Sequence, residues 1–341
     1  MSFNEDKIAD FIYGRLLKFS HLKTERIGNA IVSRVTGSSK LNVILAGHID
    51  TVLPNGNENP VFKAPRLYGI GACDMKGGIS VMLKLAEDVI SPKHSITYIF
   101  YPTEEVGNAD NGLLKLHQSN EEIFSAAAAI LLEPSSAVIE AGCQGVLRFE
   151  LRIKGERAHS ARPYMGVNAI HRSLSVLEKV VDFGEPKPIV EGLEYHESLQ
   201  CVFIKGGIQG NVIPDEVILT LSYRFAPNKD SVAAKEFIRC YFEDLLDLSL
   251  GDEIQYADVS ASALPSLNNP IIKELKDTVE KVNPKLGWTD VALFQSIGIE
   301  ACNFGPGDAE LAHSSSEYVT KEQLEECYVV LKDLLSDQEE S

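Results

Sequence analysis

Long apolar runs are missing from this 341-residue sequence: no stretch approaches the ~18–20 residues that carry a helix across a membrane. Its opening, MSFNEDKIADF, is charged and lacks a basic segment followed by an apolar one, so no secretory leader is expected. Cysteine is sparse and scattered: Cys73, Cys143, Cys201, Cys240, Cys302 and Cys327 form no CxxC pair. That argues against a disulfide framework or a cysteine-based zinc site, and for reduced thiols in the cytosol. Basic residues are in deficit, 32 against 49 acids, for a net charge of −17. A field of that sign opposes nucleic acid and anionic membranes, so neither is expected as a partner. It says nothing of the substrate, because acids that hold metal cations are neutralised locally. The glycines at 69, 71, 77 and 78 lack the Walker spacing and the GKS/T ending. They are read as allowing tight backbone around Asp74 rather than as a phosphate loop. There is no internal repeat, and the one biased segment is an acidic tail at 337–341, expected to fray.

What is present is an ordinary globular composition, 44% hydrophobic and 8% aromatic, in a chain long enough for two domains. Residues 41–46 (LNVILA), 95–101 and 126–132 are apolar runs of buried-strand length, and 75–89 carries apolar residues at helical spacing with Asp74 in the N-cap position. Strands alternating with helices predict an α/β domain whose mostly parallel mixed sheet is flanked by helices. After about residue 143 the pattern changes. Residues 146–154 (VLRFELRIK) alternate with period two, 168–181 are helical, 202–204 and 216–225 are strand-like, and 231–246 are helical again. That order predicts an inserted α+β unit of ferredoxin-like kind at 144–262. Residues 1–143 and 263–341 then form one discontinuous catalytic domain, ending in a short strand at 302–304 and a helix at 321–335.

In parallel sheets, sites form where the strands end. There lie His48 and Asp50, Glu104 and Glu105, and Glu133, joined by Asp74 at a helix start and by the late His313. Imidazole and carboxylate without thiolate suit Zn²⁺, with Co²⁺ or Mn²⁺ as substitutes. Two metals need about three protein ligands each, one of them a bridging carboxylate. Asp74, short and beside a positive helix end, suits the bridge. Asp50 is placed to accept the second N–H of His48. Glu104 and Glu105 are neighbours and cannot point the same way on extended backbone, so one can bind metal while the other contacts water. Cys73 is read as a small buried side chain and Trp288 as a packing residue at the metal domain's substrate rim. His21, His94, His117, His171 and His196 match no motif.

The blocks GHIDTVLP (47–54), YGIGACDMKGG (68–78), TEEVG (103–107), LLEPS (131–135), KGERAHSARPYMGVNAI (154–170), GNVIPDE (210–216) and GPGDAELAHSSSEYV (305–319) resemble the di-zinc aminoacylase and carboxypeptidase-type metallopeptidase family. The resemblance runs in order over nearly the whole chain. It implies a zinc domain with an inserted dimerisation or lid domain, and hence a homodimer. By position it assigns His48, Asp74 and Glu133 to one zinc and Asp74, Glu105 and His313 to the other, with Glu104 as general base. It further implies a cis peptide after Asp74. His159 of the partner subunit would reach the reacting carbonyl oxygen, and Asn211 and Arg224 would be lid residues that bind substrate. The implied reaction is amide hydrolysis by a water activated between the metals, without a covalent enzyme intermediate.

The stretch LGWTDVALF (286–294) together with the 305–319 block looks most like one branch of that family, the succinyl-diaminopimelate desuccinylases. The implied substrate is a small N-acyl amino acid rich in carboxylates. Arg224 and Arg162 suit carboxylates. Thr289 and the serines Ser314, Ser315 and Ser316 either anchor substrate or cap helices and turns, and Asp290 could pair with the substrate ammonium or cap likewise. Acetylornithine deacetylase, general aminoacylase, carboxypeptidase and dipeptidase share the same metal ligands, and a non-catalytic binding member would be expected to lack a ligand or the base.

Overall fold

The computed structural model describes residues 1–279 and 281–336, so the acidic tail at 337–341 lies outside it. The chain divides into two compact units, Met1–Gly142 with Pro265–Lys285 and Thr289–Ser341, and Cys143–Leu264 with Leu286–Trp288. Leu286–Trp288 therefore departs from the predicted division. Trp288 is grouped with the second unit, where its indole N–H donates to the Ala261 carbonyl at 3.1 Å.

The first unit is built on an eight-stranded mixed sheet in the spatial order Lys23–Ile27, Ala30–Val35, Ser95–Tyr101, Asn42–His48, Ala128–Leu131, Ala301–Asn303, Ile139–Ala141 and Val282–Pro284. Asn42–His48 runs parallel to both of its neighbours. Six of its seven residues are buried, as both faces of a helix-covered parallel strand should be. The helices include Asp6–Leu16, Gly77–Asp88, Gly112–Ser119, Pro270–Thr278 and Lys321–Leu335. Lys321–Leu335 begins where the sequence predicts, because Thr320 and Gln323 form a reciprocal capping box. Asn269 caps Pro270–Thr278 by accepting from Ile271 and Ile272.

The predicted helix at 75–89 begins later, at Gly77, and Asp74 is not its N-cap. Asp74 and Met75 have non-helical dihedrals in the preceding turn, and the peptide between them is cis. The Asp74 carboxylate instead faces two histidines, His48 and His313. Gly78 and Gly305 are needed for close approach, since a Cβ on either would lie within 2.4 Å of the Leu132 carbonyl oxygen. They clamp the backbone that carries Glu133.

The second unit is a four-stranded antiparallel sheet ordered Ser198–Gly206, Glu216–Phe225, Gly145–Lys154 and Glu253–Ser260, with helices Ala169–Val181 and Ser231–Phe242. Chain order β-α-β-β-α-β with that strand order is the ferredoxin-like arrangement. Glu216–Phe225 alternates buried and half-buried residues throughout, and its inward Val217, Leu219, Leu221 and Tyr223 join Phe149, Leu151, Ile238 and Phe242 in one core. The closing strand Glu253–Ser260 is absent from the predicted elements. Its burial is irregular, with a register shift between Tyr256 and Asp258, so its sequence does not alternate cleanly.

Candidate metal centre

Every residue of this centre belongs to the first unit. Adjacent parallel strands end in His48, in Tyr101 and in Leu131, and the chain beyond them delivers Asp50, Glu104 with Glu105, and Glu133 to one edge of the sheet. Asp74 enters from the turn before Gly77–Asp88. His313 comes from the loop after the short turn Ala309–Leu311, with φ of 62°.

The side chains converge. His48 Nε2 lies 3.0 Å from Asp74 Oδ1 and 3.9 Å from Glu133 Oε1. His313 Nε2 lies 3.4 Å from the other Asp74 oxygen and 2.9 Å from Glu105 Oε1. Asp74 thus presents one oxygen to each histidine. Ligand atoms of His48, Asp74 and Glu133 fall within 4.8 Å of one another, as do those of Asp74, Glu105 and His313 and those of His48, Glu104 and Glu105. The first two sets are the two predicted triads, sharing Asp74.

The electrostatics call for cations. Burial pushes the carboxyls of Glu104, Glu105 and Glu133 upward, and neighbouring acids push them further. Hydrogen bonding to Asp74 and the nearby Glu105 raise His313 to about 9 against its burial. Burial opposes charge on His48, yet Asp50 and Asp74 hold its proton affinity well above normal. Buried Glu133 Oε1 has no hydrogen-bond partner among the described residues. Four carboxylates against two imidazoles, with one buried oxygen unsatisfied, fit a site for hard-to-borderline divalent metals with oxygen and nitrogen donors.

Asp50 does more than face His48. It is fully buried, and its oxygens accept from Ser2 Oγ at 2.7 Å, Glu104 N–H at 3.0 Å and Glu105 N–H at 3.2 Å. The His48 Nδ1 separation, 3.4 Å, is the longest of the four and exceeds a well-formed N–H···O bond. Burial alone would raise its carboxyl, but the adjacent His48 imidazole and hydrogen bonds from Ser2 and the Glu104 N–H hold it down at about 2. Glu104 and Glu105 lie in a loop and not on extended backbone, because Thr103 turns the chain with φ of 56° after Ser95–Tyr101. Asp50 grips that loop by both amides.

The predicted substrate contacts have partners of their own or stand in the second unit. Asp290 is 1% exposed and already accepts from Tyr101 Oη at 2.8 Å and Asn111 Nδ2 at 3.0 Å, so it braces the interior rather than meeting an ammonium. Nor does its side chain cap a helix. Thr289 is buried beside it. Ser314 Oγ donates to the Leu311 carbonyl at 2.7 Å, the turn-capping alternative, while Ser315 and Ser316 are exposed. In the second unit, exposed His159, Arg162 and Asn211 adjoin: Arg162 N–H donates to the His159 carbonyl and Ser160 N–H to the Asn211 carbonyl. Arg224 lies near the far end of Glu216–Phe225, so this unit does not bring it to the other three. Cys73 is fully buried, as expected.

Sequence reasoning missed two groups. Lys285, 7% exposed, pairs with Glu140 and reaches the Pro134 carbonyl at 3.4 Å, next to Glu133. Glu317, 1% exposed, accepts from the Cys73 and Asp74 amides. Glu317 stands inside the 305–319 block, but an acid between a serine run and a short apolar strand carries no sign of its role.

The peptidase family M20/M25/M40 model matches residues 44–337. A Mycobacterium tuberculosis protein provisionally named succinyl-diaminopimelate desuccinylase DapE is 41% identical over 317 residues, 92% of this chain and 88% of that one. The succinyl-diaminopimelate desuccinylase of Corynebacterium glutamicum is 38% identical over 347 residues, 98% of this chain and 92% of that one. Among solved structures, a Staphylococcus aureus tripeptidase superposes with a TM-score of 0.78 at 20% identity, over 97% of this chain and 92% of the other. Bacillus subtilis YXEP, described as a dinuclear metal-binding peptidase, gives 0.71 at 17% identity over 98% and 92%. Among the described residues no helix is long and apolar enough to cross a membrane. The chain belongs to peptidase family M20/M25/M40 and is a metal-dependent hydrolase.

Proposed function

We propose that this enzyme, working in the cytosol, hydrolyses N-succinyl-L,L-diaminopimelate to succinate and L,L-diaminopimelate. Its proposed cofactors are two zinc ions, with cobalt or manganese as substitutes. The observation that carries the reading is Asp74 shared by two ligand triads with an extra acid, Glu104, beside them, in a chain whose relatives bear that activity in their names. His48, Asp74 and Glu133 would hold one ion and Asp74, Glu105 and His313 the other. When bound, the ions supply Lewis acidity that acidifies water and polarises the scissile carbonyl.

The rest falls to the protein. Glu104 is the acid that neither triad needs; it takes the proton from the attacking water and passes it to the departing amine. Asp50 keeps Glu104 and Glu105 in register by holding their amides. Arg224 suits a substrate carboxylate: burial and the neighbouring Arg148 disfavour its charge, and no acid pairs with it among the described residues. Arg162 and Asn211 are further proposed contacts. The inserted unit supports a homodimer, because Ser198–Gly206 is an edge strand that exposes Val202, Phe203 and Ile204. In that dimer His159 of the partner subunit would steady the carbonyl oxygen.

The test is hydrolysis of N-succinyl-L,L-diaminopimelate by zinc-loaded protein, compared with N-acetylornithine and other N-acyl amino acids. Rapid loss of the succinyl amide alone is expected, with Glu104→Gln lowering kcat by about 10²- to 10⁴-fold while keeping its metals. Preference for another acyl group would overturn the substrate and leave the metal chemistry standing.

A further inference from the structure

We infer that Glu317 is the positioning residue for the shared ligand Asp74, and that it governs uptake of both metals together. The inference rests on the metal-site reading above. In the turn Ala72–Lys76 the backbone leaves the helical path at Asp74 (φ −115°, ψ 93°) and Met75 (φ −131°, ψ 38°). Neighbouring amides still find main-chain carbonyls: Ala72 N–H donates to Gly69 and Lys76 N–H to Gly71. Of the three amides between them, those of Cys73 and Asp74 instead converge on one atom, Glu317 Oε1, at 3.0 and 3.2 Å. The Cys73 thiol points to the same oxygen at 3.5 Å. Two consecutive N–H groups aimed at one anion form a small nest, a geometry that fixes the backbone on either side of it.

Glu317 is itself held. Its carbonyl accepts from Gly69 N–H at 3.1 Å, and the next residue, Tyr318, pairs with Tyr68 in a three-stranded sheet. At 1% exposure it has no room to swing. The carboxylate therefore ties the late segment that follows His313 to the turn that carries Asp74. Because each Asp74 oxygen faces a different histidine, a small rotation of this turn would displace both triads at once. A group that loosened only one site would have to touch a ligand that the triads do not share.

Two variants separate reach from charge. Glu317→Gln keeps an oxygen at the same distance and removes the charge. Glu317→Asp keeps the charge and withdraws it by about 1.5 Å, too far to serve both amides. Chelator-stripped proteins are titrated with Co²⁺, read by its visible absorption, and with Zn²⁺ by equilibrium dialysis. Thermal unfolding of the metal-free chains serves as the folding control. Wild type should take up two ions. E317D should lose about 10- to 100-fold in affinity at both sites together, and E317Q less than about tenfold. A wild-type chain that binds no metal would defeat the metal-site reading itself. If wild type binds two ions, the inference is overturned by E317D binding them as tightly, by loss at one site alone, or by E317Q losing more than E317D. Should metal-free E317D unfold, E317Q decides alone, and a loss beyond about tenfold overturns the inference.

Discussion

Replacing Asp50 by asparagine isolates one hydrogen bond in the loop that carries Glu104 and Glu105. The wild-type carboxylate accepts at both oxygens, from Glu104 N–H on one and from Glu105 N–H and Ser2 Oγ on the other. Asparagine keeps one acceptor, which Glu104 N–H can retain. Its amide nitrogen then faces Ser2, whose hydroxyl can reverse and accept, and Glu105 N–H, which cannot. One part-buried amide is left opposite a second donor, at a cost of about 1–3 kcal/mol. If the loop relieves that conflict by moving, Glu105 leaves its place near His313 and Glu104 moves with it. The same free energy then appears as a loss of about 5- to 150-fold in kcat/KM. The assay is steady-state hydrolysis by protein of verified metal content, with metal affinity measured alongside. Activity within twofold of wild type, at full metal content, would refute the reasoning and reduce Asp50 to a neighbour of His48.

Two further predictions concern stability. Asp252 is fully buried and takes a bidentate pair from Arg172 at 2.9 and 2.6 Å, together with the amides of Lys154 and Asp247. Asp252→Ala leaves the guanidinium only the Lys154 carbonyl and should destabilise the inserted unit by about 1–3 kcal/mol in denaturant titration, whereas a loss under about 0.5 kcal/mol would contradict this account. Burial alone would raise Asp88, but Lys84 and Tyr328 hold its carboxyl below the usual range, linking Gly77–Asp88 to Lys321–Leu335. A depressed carboxyl contributes stability above its unfolded pKa of about 4 and loses it as pH falls through the folded value. Asp88→Asn should therefore cost about 0.5–1 kcal/mol at neutral pH, and the gap to wild type should close in acid; a gap that widened below pH ~4 would reverse the sign.

Much of the fold was legible because local pattern and tertiary burial agree. Residues 95–101, 216–225 and 321–335 were predicted at the bounds the structure has, since an apolar run, a strict alternation and a capped helix each carry their own signal. The helix after Asp74 was placed too early because apolar spacing continues through a turn whose dihedrals are not helical. The strand Glu253–Ser260 was missed because its pairing slips midway and its faces are unevenly buried.

The site divides along the same line. Sequence alone determined which residue types gather at the strand ends, imidazole and carboxylate without thiolate, and so that the site suits metal ions. Residue type is a local property, and the blocks that carry it stand in order along the chain. Only the tertiary structure decided what supports those residues. Asp50 reaches across to the amides of Glu104 and Glu105, Glu317 returns from late in the chain to the amides of Cys73 and Asp74, and Asp290 turns inward to Tyr101 and Asn111. Such contacts join atoms far apart in sequence, and those of Asp50 and Glu317 run to backbone donors that every residue but proline possesses, so no residue type announces them.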